Sequence, residues 1–210
     1  MMVIIFSYIA PMDTPLTRKE LTHERIVETA ARAIRRTGFQ GLGVADIMKE
    51  AGLTHGGFYA HFASRDALLC EALERAGQDA GAGLARRIAS QQLVDASPLR
   101  QLVEAYLAEG NLAATEHGCP VAALASEMPR QAPEVREVAA RRVRGLMATV
   151  ARALPAEADT DSAAVIAAQL AGALQLARSL GDNAEGRALL AATRRALLQQ
   201  HDTVSTLPSH

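Results

Sequence analysis

Residues 44–63 read Val44-Ala-Asp-Ile-Met-Lys-Glu-Ala-Gly-Leu-Thr-His-Gly-Gly-Phe-Tyr-Ala-His-Phe-Ala63, and this run decides the fold. Two short helical stretches, about 44–51 and 54–62, flank Gly52 and Leu53 with the spacing of a helix-turn-helix. Ile47, Ala51, Leu53, Phe58 and Phe62 form the apolar set that holds the pair together. The second stretch keeps Thr54, His55, Tyr59 and His61 as its polar remainder. A Gly56-Gly57 pair inside a helix is locally destabilising. It makes sense where a partner must approach the backbone closely, and a DNA groove is such a partner.

Helical signals continue on both sides. Thr17-Arg-Lys-Glu20 is a capping box, behind which Ile26, Val27, Ala30, Ala33 and Ile34 share one face, and Gly38 is placed to end that helix. Ser64 can cap a fourth helix that begins Arg65-Asp66-Ala67-Leu68-Leu69 and runs to about Ser90. Gly77, Gly81 and Gly83 predict that it bends or loosens there. Further helices are predicted near 98–115, 120–128, 133–154, 161–180 and 184–200, with Pro120 and Pro133 at first-turn positions. Strand signals are almost absent, so the expected class is all-α.

The 210 residues are enough for a real core, and 49% hydrophobic content excludes a wholly disordered chain. Two cysteines make no disulfide scaffold, which points to a reducing compartment. The apolar stretch 1–10 lacks a basic flank and falls short of the roughly 20 residues that span a bilayer. No later segment reads as transmembrane, so no membrane partner is expected and the cytoplasm is the expected location. Net charge is -1 overall, but residues 17–66 carry eight Lys/Arg and six Asp/Glu, leaving the amino-terminal part the more basic one. That balance favours moderate, salt-sensitive binding to DNA.

The run from Glu24 to Leu69 resembles the DNA-binding domain of the tetracycline-repressor family of bacterial transcription regulators. The matching pieces are Ile26-Val-Glu-Thr-Ala30, Thr37-Gly-Phe39, Val44-Ala-Asp-Ile47, Ala51-Gly-Leu-Thr54, Gly57-Phe-Tyr-Ala-His-Phe62 and Ser64-Arg-Asp-Ala-Leu68. The resemblance implies an all-helical homodimer. A three-helix head, residues 17–66, would bind double-stranded operator DNA. A helical body, residues 67–203, would bind a small organic effector and carry the dimer interface. Two positions depart from the family pattern. Leu42-Gly43 stands where a capping Thr or Ser is common, and Arg65 where Lys is usual.

Roles in the head follow from chemistry. The recognition stretch holds no Lys or Arg, so bidentate guanine readout is not available from it. Base contacts therefore fall to Thr54, His55 and the flat Gly56-Gly57 surface. Tyr59 and His61 are placed for phosphate oxygens, and Lys49 and Arg65 flank the stretch with positive charge. Ser64 opens the next helix, whose backbone N–H groups can hold a further phosphate. The alternative for His61 is a buried, hydrogen-bonded histidine. Asp46 and Asp66 read as helix-dipole or salt-bridge residues.

The body shows no Gly-x-Ser-x-Gly, His-Glu-x-x-His, Walker loop or Cys-x-x-Cys, so no catalytic role is expected. His117 and Cys119 lack a third ligand nearby, and neither a metal nor another cofactor is expected. The segment from His117 to Glu127 resembles the start of the sixth helix in some relatives, which lines the effector pocket and touches the head. Candidate effector contacts are Tyr106, Glu109, Asn111, His117, Cys119, Met128 and Met147, a set that favours an apolar or weakly polar molecule. Cys119 precedes Pro120 near a helix amino terminus, which opens an alternative, a redox or electrophile sensor. The plainer reading makes it a small buried hydrophobe, as Cys70 is also expected to be. The apolar stripes on 161–180 and 184–200, including Leu174 and Leu197, predict a dimeric four-helix bundle, with an intramolecular hairpin as the alternative. From another class, the competing reading is a helical small-molecule-binding protein or enzyme with a vestigial head.

Overall fold

Thr17 and Glu20 close their capping box as expected. The Thr17 N–H donates to Glu20 Oε2 at 2.7 Å and the Glu20 N–H to Thr17 Oγ1 at 3.2 Å. From that cap runs α1, Arg18–Thr37, in a computed structural model that describes residues 16–41, 43–91, 93, 95–159 and 161–202. The apolar stretch 1–10, Leu42 of the weak cap, and the tail beyond Asp202, with the last residue of the expected body, lie outside the described residues.

The other α-helices are α2 (Val44–Glu50), α3 (Arg65–Ser90), α4 (Pro98–Tyr106), α5 (Pro120–Leu124), α6 (Pro133–Ala153), α7 (Ser162–Leu180) and α8 (Ala184–His201). No strand occurs among the described residues. The recognition stretch is a 3-10 turn, His55–Ala60, instead of a regular α-helix from 54 to 62. Two adjacent glycines weaken the helical ladder there, and the tighter turn is the usual outcome in short pieces. The predicted 98–115 helix is also cut short. It ends at Tyr106, and two single 3-10 turns, Glu109–Asn111 and Thr115–His117, follow it. Asn111 explains the break: its buried side-chain amide donates to the Ala105 and Tyr106 carbonyls at 3.1 and 2.8 Å, taking the acceptors that would continue the helix. Likewise α5 stops at Leu124, and Met128–Arg130 forms a 3-10 turn.

Contrary to expectation, α3 runs unbroken for 26 residues through its three glycines. It joins two apolar clusters. The first gathers Ile26, Ala30, Ile34, Ile47, Phe58 and Phe62 with Leu68–Ala76 of α3, and also takes in Leu124, Met128 and Val135 from farther along the chain. The second lies among α4, α6, α7 and α8 around Leu102, Tyr106, Val150, Leu170, Leu174 and Leu190.

Within the protomer α7 and α8 pack as a hairpin, with Leu174 and Leu197 each 2% exposed. Those two leucines are core, which corrects their assignment to a dimer seam. A periodic stripe identifies a buried face but not which surface covers it. A different line of α7, Val165, Leu176 and Leu180, remains on the outside. Contrary to expectation, α7 has a bilayer-compatible length and mean hydropathy, 19 residues and 1.3. Its inner face is spent on the core, and Arg178 near its end donates to the Asn111 carbonyl at 2.9 Å.

Candidate DNA interface and effector cavity

In the head, Phe58 and Phe62 are buried and stack at 5.5 Å between ring centroids, while Tyr59 between them is 72% exposed. The turn thus anchors on one side and presents the other. Thr54 and His55 are exposed, and Thr54 receives no capping hydrogen bond. A Cβ added at Gly56 would meet nothing within 4 Å, and its φ is not positive. The protein's own packing therefore does not require glycine there. Gly57 would meet only Met48 Cε at 3.7 Å, an ordinary contact. Lys49 is exposed at the end of α2.

Other head residues are more engaged. Ser64 Oγ accepts the Ala67 N–H at 3.0 Å as an N-cap. Arg65 donates to the Phe39 carbonyl, so its guanidinium is tied to the turn after α1. Asp46 Oδ2 accepts the Gly43 N–H at 3.2 Å, a backbone cap that partly makes up for the missing Thr or Ser. His61 is half-buried, 5.9 Å between centroids from His23, and its Nδ1 has no hydrogen-bond partner. Burial and the charges of His23 and Lys19 hold its pKa below the ordinary histidine value.

A cavity of about 240 Å³ lies between α3 and α6, floored by α4, α5 and α7. Of the seven predicted contacts it gathers Tyr106, Asn111 and Cys119. The other four do not line it. Glu109 is exposed and faces Arg187 at 3.7 Å, and His117 is exposed. Met128 is buried in the cluster shared with the head, and Met147 packs on the body's core. Periodicity cannot separate a residue lining a void from one filling the core beside it. Cys70 is half-buried against the head cluster, and burial raises its thiol pKa.

Sequence reasoning missed Arg87 and Arg142, which enter the cavity from α3 and α6. The available signal was the glycines. Gly77, Gly81 and Gly145 line the same cavity, where their missing side chains leave room. An added Cβ at Gly77 would lie 2.6 Å from Arg142 Nη1, and those at Gly81 and Gly145 would meet nothing within 4 Å.

One segment joins cavity to head. Gly118 to Val121 lines the cavity. Just before it, Glu116 Oε1 accepts from Arg36 at 2.8 Å, and Arg36 also bonds Glu50 at 2.7 Å. Just after it, Glu127 Oε2 accepts the Phe39 N–H at 3.0 Å. Glu116 and Glu127, at the two ends of this segment, therefore both hold the carboxyl end of α1, at Arg36 and at Phe39.

Residues 26–72 match the tetR family of bacterial regulatory proteins, and residues 96–193 match the tetracyclin repressor-like C-terminal domain. An uncharacterised helix-turn-helix-type transcriptional regulator of Mycobacterium tuberculosis is 30% identical over 166 residues, 74% of this chain and 83% of that protein. A tetR-family regulator from Agrobacterium tumefaciens has a similar structure, with TM-score 0.65 and 27% identity, covering 88% of this chain and 99% of that one. A tetR regulator from Chloroflexus aurantiacus shares the fold at TM-score 0.71 and 24% identity, covering 89% and 98%. These relatives are regulators, which sets aside the helical-enzyme alternative. With its helix-turn-helix head and helical body, the chain belongs to the tetR family and is a DNA-binding transcriptional regulator.

Proposed function

We propose that the chain is a cytoplasmic repressor that binds operator DNA as a homodimer and leaves it when a small organic effector occupies the α3–α6 cavity. The observation that carries this reading is the segment 116–127, which touches the cavity at its middle and the head at both ends. A ligand against Gly118–Val121 would move α5 and, through Glu116 and Glu127, turn one head relative to the other. Head residues 17–66 supply the DNA surface and the body from 67 on supplies cavity and interface. The dimer seam is the outer line of α7. Val165, Leu176 and Leu180 remain exposed there, and Gly172 between them has open space where its Cβ would be. An apolar line of this kind, with Ala188 and Ala192 also exposed on α8, fits a second copy of itself.

The test is operator binding. In a gel-shift titration at fixed salt, Tyr59→Ala is expected to weaken binding about tenfold, the loss of one good contact to a phosphate. Gly56→Ala is expected to weaken it comparably while melting at or slightly above the wild-type temperature, since its methyl meets only what lies outside the protein. Wild-type affinity in both variants would remove the recognition turn from the interface.

Cys119 lines the cavity, so the thiol-sensing alternative uses the same wall. Under diamide, wild type and Cys119→Ser are expected to hold the operator equally. Release by diamide that disappears in Cys119→Ser would establish the thiol reading instead.

A further inference from the structure

The polar part of the cavity wall is cationic. Arg87 and Arg142 are the only charged residues that line it among those described. Arg142 Nη2 is paired with Glu74 at 2.9 Å, and Glu74 also serves Arg141. Arg87 forms no ion pair among the described residues, only burial and Arg86 act on its charge, and its Nε is buried without a partner. Arg178 stands behind the wall, next to Tyr106 and Cys119. Its bonds go to the Asn111 and Ala114 carbonyls, and its Nη1 is buried and unpartnered.

Tyr106 supplies an independent observation. The residue is 5% exposed and lines the cavity; its hydroxyl faces the Cys119 thiol, a weak partner, and makes no hydrogen bond of ordinary geometry. Burial, then the neighbouring Cys119, pushes the phenol well above its ordinary pKa, so it stays protonated and is a donor. A buried donor without an acceptor is costly, and a guanidinium without a counter-charge more so. Both line one cavity, where a ligand oxyanion would supply the missing acceptor and the counter-charge. The remaining wall, Leu84, Val121, Leu146 and Leu174, is apolar. A volume of about 240 Å³ is below the roughly 300–1,000 Å³ of drug-sized sites, which restricts the ligand to one ring or a short chain.

We propose that the effector is a small organic monocarboxylate, its oxyanion taken by the Tyr106 hydroxyl and the Arg87 guanidinium and its apolar body by the leucine and valine wall. This replaces the apolar or weakly polar effector expected from the sequence. It rests on the cavity being the effector site.

The experiment is isothermal titration of the full chain with benzoate, phenylacetate and hexanoate, each beside its uncharged amide. At least one acid is expected to bind, with its amide weaker by about tenfold or more. Arg87→Met should reduce binding of that acid by a similar factor, Arg87→Lys should restore part of it, and Tyr106→Phe should lose about fivefold. Gly81→Leu, whose side chain enters the open mouth of the cavity, should abolish binding. Melting curves of each variant confirm that it is folded. Acid and amide binding equally, none of the three acids binding, or Arg87→Met and Tyr106→Phe both binding as wild type would each overturn the anion proposal. Acid binding that survives in folded Gly81→Leu would instead place the ligand elsewhere and overturn the cavity reading itself.

Discussion

A Leu176→Asp chain is expected to fold and yet to be monomeric, with operator affinity lower by about a hundredfold or more. Leu176 is 60% exposed on the protomer, so the substitution removes little from its own core. Exposed replacements of this kind usually change protomer stability by no more than about 0.5 kcal/mol. In the proposed dimer the same position lies in the α7 seam, and two-fold symmetry brings two copies of the new charge into it. An unpaired buried carboxylate costs several kcal/mol, which is enough to separate the subunits at micromolar concentration. A single head then holds a single half-site, and the affinity gained by linking two heads is lost. Light scattering reads the mass and a gel shift reads the operator. Leu174→Asp, two residues away, is the contrast. Leu174 is 2% exposed in the α7–α8 core, so the charge has no escape and the chain should fail to fold. A dimeric, operator-competent Leu176→Asp would place the seam on another face.

Gly38→Ala is expected to lower unfolding stability by about 3 kcal/mol or more, a large loss for one methyl group. Gly38 ends α1 with φ +79° and ψ 176°, a region that only glycine occupies readily and that costs other residues about 1–3 kcal/mol. The added Cβ would also lie 2.3 Å from Glu127 Oε1 and 3.0 Å from its Cδ. Glu127 must then withdraw and the Phe39 N–H loses its acceptor. A charged hydrogen bond of this kind contributes about 1.5–3 kcal/mol. Urea denaturation should show the midpoint falling, with a smaller fall, about 1–2 kcal/mol, for Glu127→Ala alone. The double variant should be less destabilised than the two losses added together, because removing the carboxylate removes the clash. A Gly38→Ala protein with the wild-type midpoint would mean that the turn after α1 is not held as described.

The head was legible in the sequence because its determinants are local. Thr17 with Glu20, Gly38, Gly52 and Ser64 each set a cap or a turn within four residues of themselves, and all of them mark ends of observed elements. The apolar set Ile47, Ala51, Phe58 and Phe62 needs only helical spacing to share a side, and it is buried. The long body helices were legible for the same reason, since a stripe sustained over five turns exceeds what any single residue can disturb. The break at Tyr106 was not, because it depends on the Asn111 amide being turned inward and buried on the Ala105 and Tyr106 carbonyls, which helical spacing does not reveal.

What the sequence determined by itself is the all-helical class, the helix-turn-helix head and the family, all written in short-range spacing. Only the tertiary structure decided which arginines face a void, which leucines of α7 are core and which remain outside, and that Glu116 and Glu127 grip the head. Those facts join residues far apart along the chain, such as Gly77 with Arg142 and Phe39 with Glu127. Burial at such a place depends on the element packed against it, and local pattern carries no information about that neighbour.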